Sequence, residues 1–202
     1  EKNSSFQYRW KEDGKDFEIY DILENGEVLY YETGNVGSSV TIKSNALYNG
    51  GALGLNVQGQ GMTVNVWDSG SVRETHNEFG VDKVFNWDPT AYSDHATHVM
   101  GTVLAKGQNS LLRGIAFNAT GNSFDWNNDY SEMAAAAADD VLLVSNHSYW
   151  IGTTLSAWLL GAYDYRAAQL DQIAFLAPYY LPVTAAGNDR NSTSNPVLGP
   201  YL

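Results

Sequence analysis

The 202-residue chain contains no cysteine, which excludes disulfides, thiolate nucleophiles and Cys-ligated zinc and leaves the redox compartment open. Basic residues are scarce: 11 Lys and Arg stand against 23 Asp and Glu, a formal net charge of -12. Nucleic acid and anionic membrane surfaces would be repelled by such a chain. No apolar run approaches the roughly 20 residues of a spanning helix. No signal peptide is evident, and a cleaved one would leave no trace. What is present is 44% hydrophobic and 13% aromatic residues, enough to bury a full core, and one main domain is the expectation at this length. The 19 glycines and a mean hydropathy of -0.31 suit a loop-rich α/β protein.

Two short β-type runs, Asp16 to Ile22 and Glu27 to Glu32, are joined through Asn25 and Gly26 and predict a hairpin. Their charge density marks residues 1–35 as an N-terminal extension, leaving 36–202 as the main domain. Val36 to Gly61 is a Gly- and Asn-rich connection with room for one short helix near Ala46 to Gly50. From Met62 onward, strand-like and helix-like runs alternate. Strands are predicted at Thr63–Trp67, Thr120–Phe124, Val141–Ser145 and Leu181–Ala185. Helices are predicted at His95–Ala105, Tyr130–Ala138 and Thr154–Phe175. Such alternation predicts parallel βαβ units, with ligand sites at the C-terminal ends of the strands. Asp68, Asn146 to Ser148 and Asn188 all fall at such ends.

Three segments carry candidate chemistry. MTVNVWDSG (Met62–Gly70) is a β-branched run ending on Asp68, where a carboxylate beside a sheet needs a cationic or hydrogen-bonding partner. The plainer reading of Asp68 is a cap on the turn through Ser69 and Gly70. SDHATHVMGTV (Ser93–Val103) places His95 where a turn enters an apolar helix among small residues. An imidazole oriented by a carboxylate works as a general base, so the two segments read as half of a hydrolytic site. LPVTAAGNDRN (Leu181–Asn191) runs through Ala185, Ala186 and Gly187 into an exposed amide. That pattern suits an oxyanion donor at Asn188, although an Asn after Gly in an ordinary turn would look the same. Asp139 and Asp140 read as helix-end charges, and Asp125 to Asp129 as a polar surface turn.

Taken together and in this order, the segments resemble the subtilisin-like serine proteases, from about Met62 to Asn191. VNVWDSG resembles the family's aspartate strand, HATHVMGT its histidine helix and VTAAGND its oxyanion strand. LRGIAF (Leu112–Phe117) resembles the stretch after the histidine helix, and VSNHSYW (Val144–Trp150) the strand that binds substrate backbone. The resemblance implies a three-layer α/β fold with a mostly parallel central sheet. It implies that Asp68 orients the imidazole, His95 acts as general base and acid, and Asn188 donates to the oxyanion. Ser148, Tyr149 and Trp150 would bind an extended peptide, with Ala186 and Gly187 opposite. His98 matches the family's second histidine, outside the triad. Ala96 and Trp150 stand where the family usually has glycine.

The family's chain order is Asp, His, then Ser, and no Gly-Thr-Ser turn precedes Leu202; Ser192 and Ser194 follow Asn188 too closely to serve. The nucleophile is therefore expected on a C-terminal remainder beyond residue 202, as the partner that completes a secreted serine endopeptidase acting on peptides or proteins. The rival expectation is a catalytically inactive subtilisin-like peptide-binding or scaffold module. A zinc hydrolase built on His95 and His98 lacks the glutamate of the familiar zinc helix. No metal or other cofactor is assigned; Glu78 and Gln108 lie near places where relatives bind calcium, without a dense carboxylate loop.

Overall fold

The computed structural model describes residues 9–12, 15–22, 28–32, 35–138, 142–149 and 162–187, with side chains from Gly37 onward. Its chain forms two compact units: one of Glu1–Gln60, Asn77–Gly80 and Gly101–Asn118, the other of Gly61–His76, Val81–Met100 and Ala119–Leu202.

In the first unit, β1 (Arg9–Glu12), β2 (Lys15–Ile22) and β3 (Val28–Glu32) form an antiparallel sheet in that order. The predicted hairpin is its β2–β3 pair, bulged between Ile19 and Asp21; the Asn25–Gly26 turn lies outside the described residues. Helix α1 (Asn35–Thr41) and a 3-10 turn at Ser44–Leu47 follow, where a single short helix near Ala46–Gly50 was expected. Further on, Tyr48 donates its hydroxyl to the Ile115 carbonyl at 2.8 Å, and the Arg113 guanidinium lies 4.2 Å from the Phe117 ring centroid.

The second unit holds the site. Its five strands, β4 (Thr63–Asp68), β5 (Val84–Asn86), β6 (Thr120–Asp125), β7 (Val144–His147) and β8 (Leu181–Thr184), form one sheet in the order β5-β6-β4-β7-β8. Every pairing in it is parallel. The α/β expectation holds, and β4 is the middle strand. That position explains its sequence: the last four residues, Val66 and Trp67 among them, are buried, as a strand covered on both faces requires. The non-polar Val66 and Trp67 point to opposite faces and are both fully buried.

On the Trp67 face, α3 (Asp129–Ala138) and α4 (Tyr165–Leu176) contribute Met133, Ala137 and Ile173 to a core completed by Leu142 and Tyr180. The Trp67 ring stacks on Phe124 at 4.5 Å and on the His147 imidazole at 5.3 Å, and its indole N–H donates to Glu132 at 2.9 Å. A large ring with its one polar atom satisfied is well suited to a sheet centre.

Helix α4 starts later than Thr154. Ala162 to Asp164 are not helical, and Asp164 caps the helix by accepting from the Arg166 and Ala167 amides. A capping carboxylate satisfies the otherwise unpaired first amides and so fixes the start. Residues 150–161 lie outside the described residues. Strand β7 begins at Val144 rather than Val141, and β8 ends at Thr184. Pro182 in β8 is tolerated because, among the described strands, β8 lies at the sheet edge.

Candidate active site

Asp68 is the last residue of β4 and is 1% exposed. Its carboxylate accepts from the Ser69 amide at 2.7 Å and the Ser69 hydroxyl at 3.1 Å, so the capping reading of the sequence is correct. It is also incomplete, because both oxygens meet His95 Nδ1, at 2.8 and 2.9 Å. His95 is the second residue of α2 (Asp94–Leu104), and its side chain is 56% exposed. A buried acceptor-only carboxylate requires a donor, so Nδ1 carries the ring proton of the neutral imidazole. Nε2, on the opposite side of the ring, is then the basic atom.

Local chemistry places the helix start against the strand end. Ser93 precedes α2, and its hydroxyl accepts from the Ala96 amide at 3.1 Å, the bond expected of a helix N-cap. The same hydroxyl lies 2.9 Å from Ser69 Oγ, joining the cap to the turn after Asp68. Further along, the Ser71 amide donates to the Ala91 carbonyl and the Ser93 amide to the Ser71 carbonyl, at 3.1 and 2.9 Å. Gly70 makes this approach possible: its φ is +138°, and a Cβ there would sit 2.6 Å from the Ala91 oxygen. Ser69 and Ser93 were present in the quoted motifs, but their partnership depends on a contact 24 residues apart.

Ser148 and Tyr149 leave the end of β7, and Asn146 Nδ2 donates to Ser148 Oγ at 2.8 Å. Ala186 and Gly187 follow β8 and are exposed, with Gly187 at φ +89°. The Ala185 amide donates to the His147 carbonyl at 3.0 Å, so the two segments leave neighbouring strands at the same edge. Asn188 and Trp150 lie outside the described residues. Asp68, Ser148 and Ala186 thus follow or end β4, β7 and β8, three consecutive strands of a parallel sheet, at their carboxyl ends. Carboxyl ends of parallel strands are where ligands bind in α/β sheets.

The Asp125–Asp129 segment is more than the polar surface turn expected of it. Asp125 is buried, with its carboxylate accepting from the Asn127 backbone and side-chain amides, and Asp129 accepts from the Tyr149 hydroxyl at 2.7 Å. Burial raises the pKa of Asp88, whose carboxylate accepts from the Asp125 amide. Glu78 accepts from the Gly107 and Gln108 amides, and Gln108 Nε2 donates to the Asn77 carbonyl at 2.9 Å. These bonds close the two loops on one another. Among the described residues no group of three or more Asp, Glu or His is placed to hold a metal ion, and no helix is long and apolar enough to cross a membrane.

The Subtilase family (Peptidase S8) matches residues 54–200. This chain belongs to the subtilase family. No curated protein matches it. Among solved structures, the chain is similar to the prenylagaramide maturation protease PagA, at 22% identity and a TM-score of 0.52, covering 67% of this subtilase chain and 49% of that one. It is also similar to the Clostridium perfringens CspB protease, at 18% identity and a TM-score of 0.52, covering 79% of this chain and 41% of that one. At these identities the likeness is one of fold, and the subtilase chain spans half or less of the length of either structure.

Proposed function

We propose that this subtilase chain supplies the acid–base half of a serine endopeptidase. One observation carries the reading: His95 Nδ1 lies 2.8 Å from a carboxylate, that of Asp68, which is 1% exposed. In this mechanism Asp68 holds the imidazole with Nδ1 protonated. Nε2 takes the proton of a serine hydroxyl as that oxygen attacks the peptide carbonyl, and Asp68 stabilises the imidazolium that results. The proton then passes to the leaving amine, and water, deprotonated by the same nitrogen, hydrolyses the acyl-enzyme. Asn188 serves as the oxyanion donor. Ser148, Tyr149 and Trp150, with Ala186 and Gly187, bind the extended peptide by strand addition.

In this reading the serine belongs to a C-terminal remainder beyond residue 202, and the complete protein is exported. Nothing in the mechanism requires a metal. The test uses the complete protein, following peptide cleavage and labelling by a serine-directed phosphonate. His95→Ala is expected to lower kcat by about 10⁴-fold or more, as loss of a triad base does, and to abolish labelling. Equal cleavage and labelling in both forms would remove His95 from the mechanism.

A further inference from the structure

A second histidine belongs to strand β7 itself and has no part in the chemistry just described. His147, at the end of β7, is 4% exposed and uses both ring nitrogens: Nε2 lies 2.7 Å from Ser145 Oγ, and Nδ1 lies 2.9 Å from the Tyr149 hydroxyl. Tyr149 in turn donates to Asp129 at 2.7 Å, and Ser145 Oγ lies 2.6 Å from the hydroxyl of buried Tyr180. Proton counting gives every bond a direction. Asp129 only accepts, so Tyr149 commits its single proton there, and His147 must donate from Nδ1 to the Tyr149 oxygen. A neutral imidazole protonated at Nδ1 accepts at Nε2. Ser145 therefore donates to His147 and accepts from Tyr180.

The result is a one-way relay, Tyr180 to Ser145 to His147 to Tyr149 to Asp129. It spans the start of α3, strand β7 and the residue that leads into β8. The electrostatics of the two central groups agree with these directions. Burial holds the His147 pKa down at about 4, the neutral form the relay needs. Burial and the Asp129 contact raise the Tyr149 pKa, keeping its proton in place.

We propose that this relay makes Tyr149 a positioning residue for the substrate: anchoring its hydroxyl to Asp129 and His147 fixes the chain where it leaves the peptide-binding end of β7, while Tyr180, which leads into the start of β8, holds Ser145 and through it His147. The proposal rests on the peptidase reading. Its consequence is that the relay governs how well an extended peptide is held, with the chemical step left to Asp68 and His95.

The experiment compares wild type, Tyr149→Phe, Asp129→Asn and Asp129→Ala in the complete protein. Kinetics use a fluorogenic tetrapeptide library, normalised by phosphonate titration of active sites, and imidazole ¹⁵N NMR reads the His147 tautomer. Tyr149→Phe is expected to raise KM roughly tenfold, the scale of a lost hydrogen bond to a charged group, with kcat within about twofold. The Nδ1–H signature of His147 should be lost with it. Asp129→Asn retains an acceptor oxygen and should restore KM to within about threefold of wild type, whereas Asp129→Ala should behave as Tyr149→Phe. A variant that melts earlier yet keeps the wild-type KM per active site would mark the relay as structural only and overturn the proposal. So would an unchanged His147 tautomer. If wild type cleaves no peptide, the peptidase reading itself fails, and binding of the same peptides by fluorescence anisotropy decides: weaker binding by Tyr149→Phe supports the positioning role, and equal binding overturns it.

Discussion

Two histidines in this chain stand at strand or helix ends beside hydroxyl and carboxylate groups, and they differ in one respect that decides their chemistry. His95 gives Nδ1 to a buried aspartate and keeps its side chain 56% exposed. His147 is 4% exposed, with Nδ1 against Tyr149 and Nε2 against Ser145. The ingredients of the second cluster, serine, histidine and a carboxylate reached through Tyr149, are those of a hydrolytic triad, yet no nitrogen is left to take a proton from a reactant. A base must be oriented on one side and open on the other. Where both sides are committed and water is excluded, the same residue types fix structure instead.

The contrast can be broken by perturbing what separates the two sites. Trp67 precedes Asp68 in β4 and stacks on His147, so it touches both regions. Trp67→Ala is expected to cost about 3–5 kcal/mol in urea unfolding, the range for a large buried ring, and to let water reach His147. A loss below about 1 kcal/mol would show that the sheet centre is not held as described.

The next effect is electrostatic. Burial lowers the His147 pKa from 6.5 to about 4, so between those values the unfolded chain binds a proton that the folded chain does not. Stability from this group is therefore fully present above about pH 6.5, declines as pH falls through the window, and is absent below about pH 4. The ceiling is about 3 kcal/mol. Urea titrations at pH 7 and pH 5 should show the decline in wild type, and it should flatten in His147→Gln. A wild type equally stable at both values would contradict a buried neutral imidazole.

The smallest effect sharpens the open site. Ser93→Ala removes the α2 cap and should cost about 1 kcal/mol. Because the same hydroxyl meets Ser69, activity should fall along with stability in the complete protein. A thermal shift with unchanged kcat would mean that the cap does not aim His95.

The sheet was largely legible in the sequence, for physical reasons that also explain the omissions. β4 and β6 each needed only one further residue at the end, Asp68 and Asp125, and α2 and α3 matched within one residue at each end. Their lengths leave room for a full hydrophobic period. β5 is three residues, VFN, too short for any period to show, and β1, RWKE, has the charge content of a loop. The Asp68–His95 pairing was expected from motif order and is present at hydrogen-bond distance. The relay was not expected, although a signal existed: Ser145 and His147 alternate in β7 and so share a face, and Tyr149 keeps the same spacing just past its end. Their partners are distant in sequence, Asp129 20 residues from Tyr149 and Tyr180 35 residues from Ser145, and only folding shows that Ser145 and His147 are buried. Asp129 looked like a solvated turn because nothing local marks a carboxylate whose donor is a distant tyrosine.

The claim on which the account depends is that Asp68 fixes the proton of His95 on Nδ1 and leaves Nε2 as the base. Imidazole ¹⁵N NMR of the complete protein at alkaline pH, in wild type and Asp68→Asn, tests it without reference to any substrate. The account predicts a protonated Nδ1 and a bare Nε2 in wild type, with that pattern lost in Asp68→Asn. An imidazole protonated at Nε2 in wild type, or one indifferent to the substitution, would contradict it.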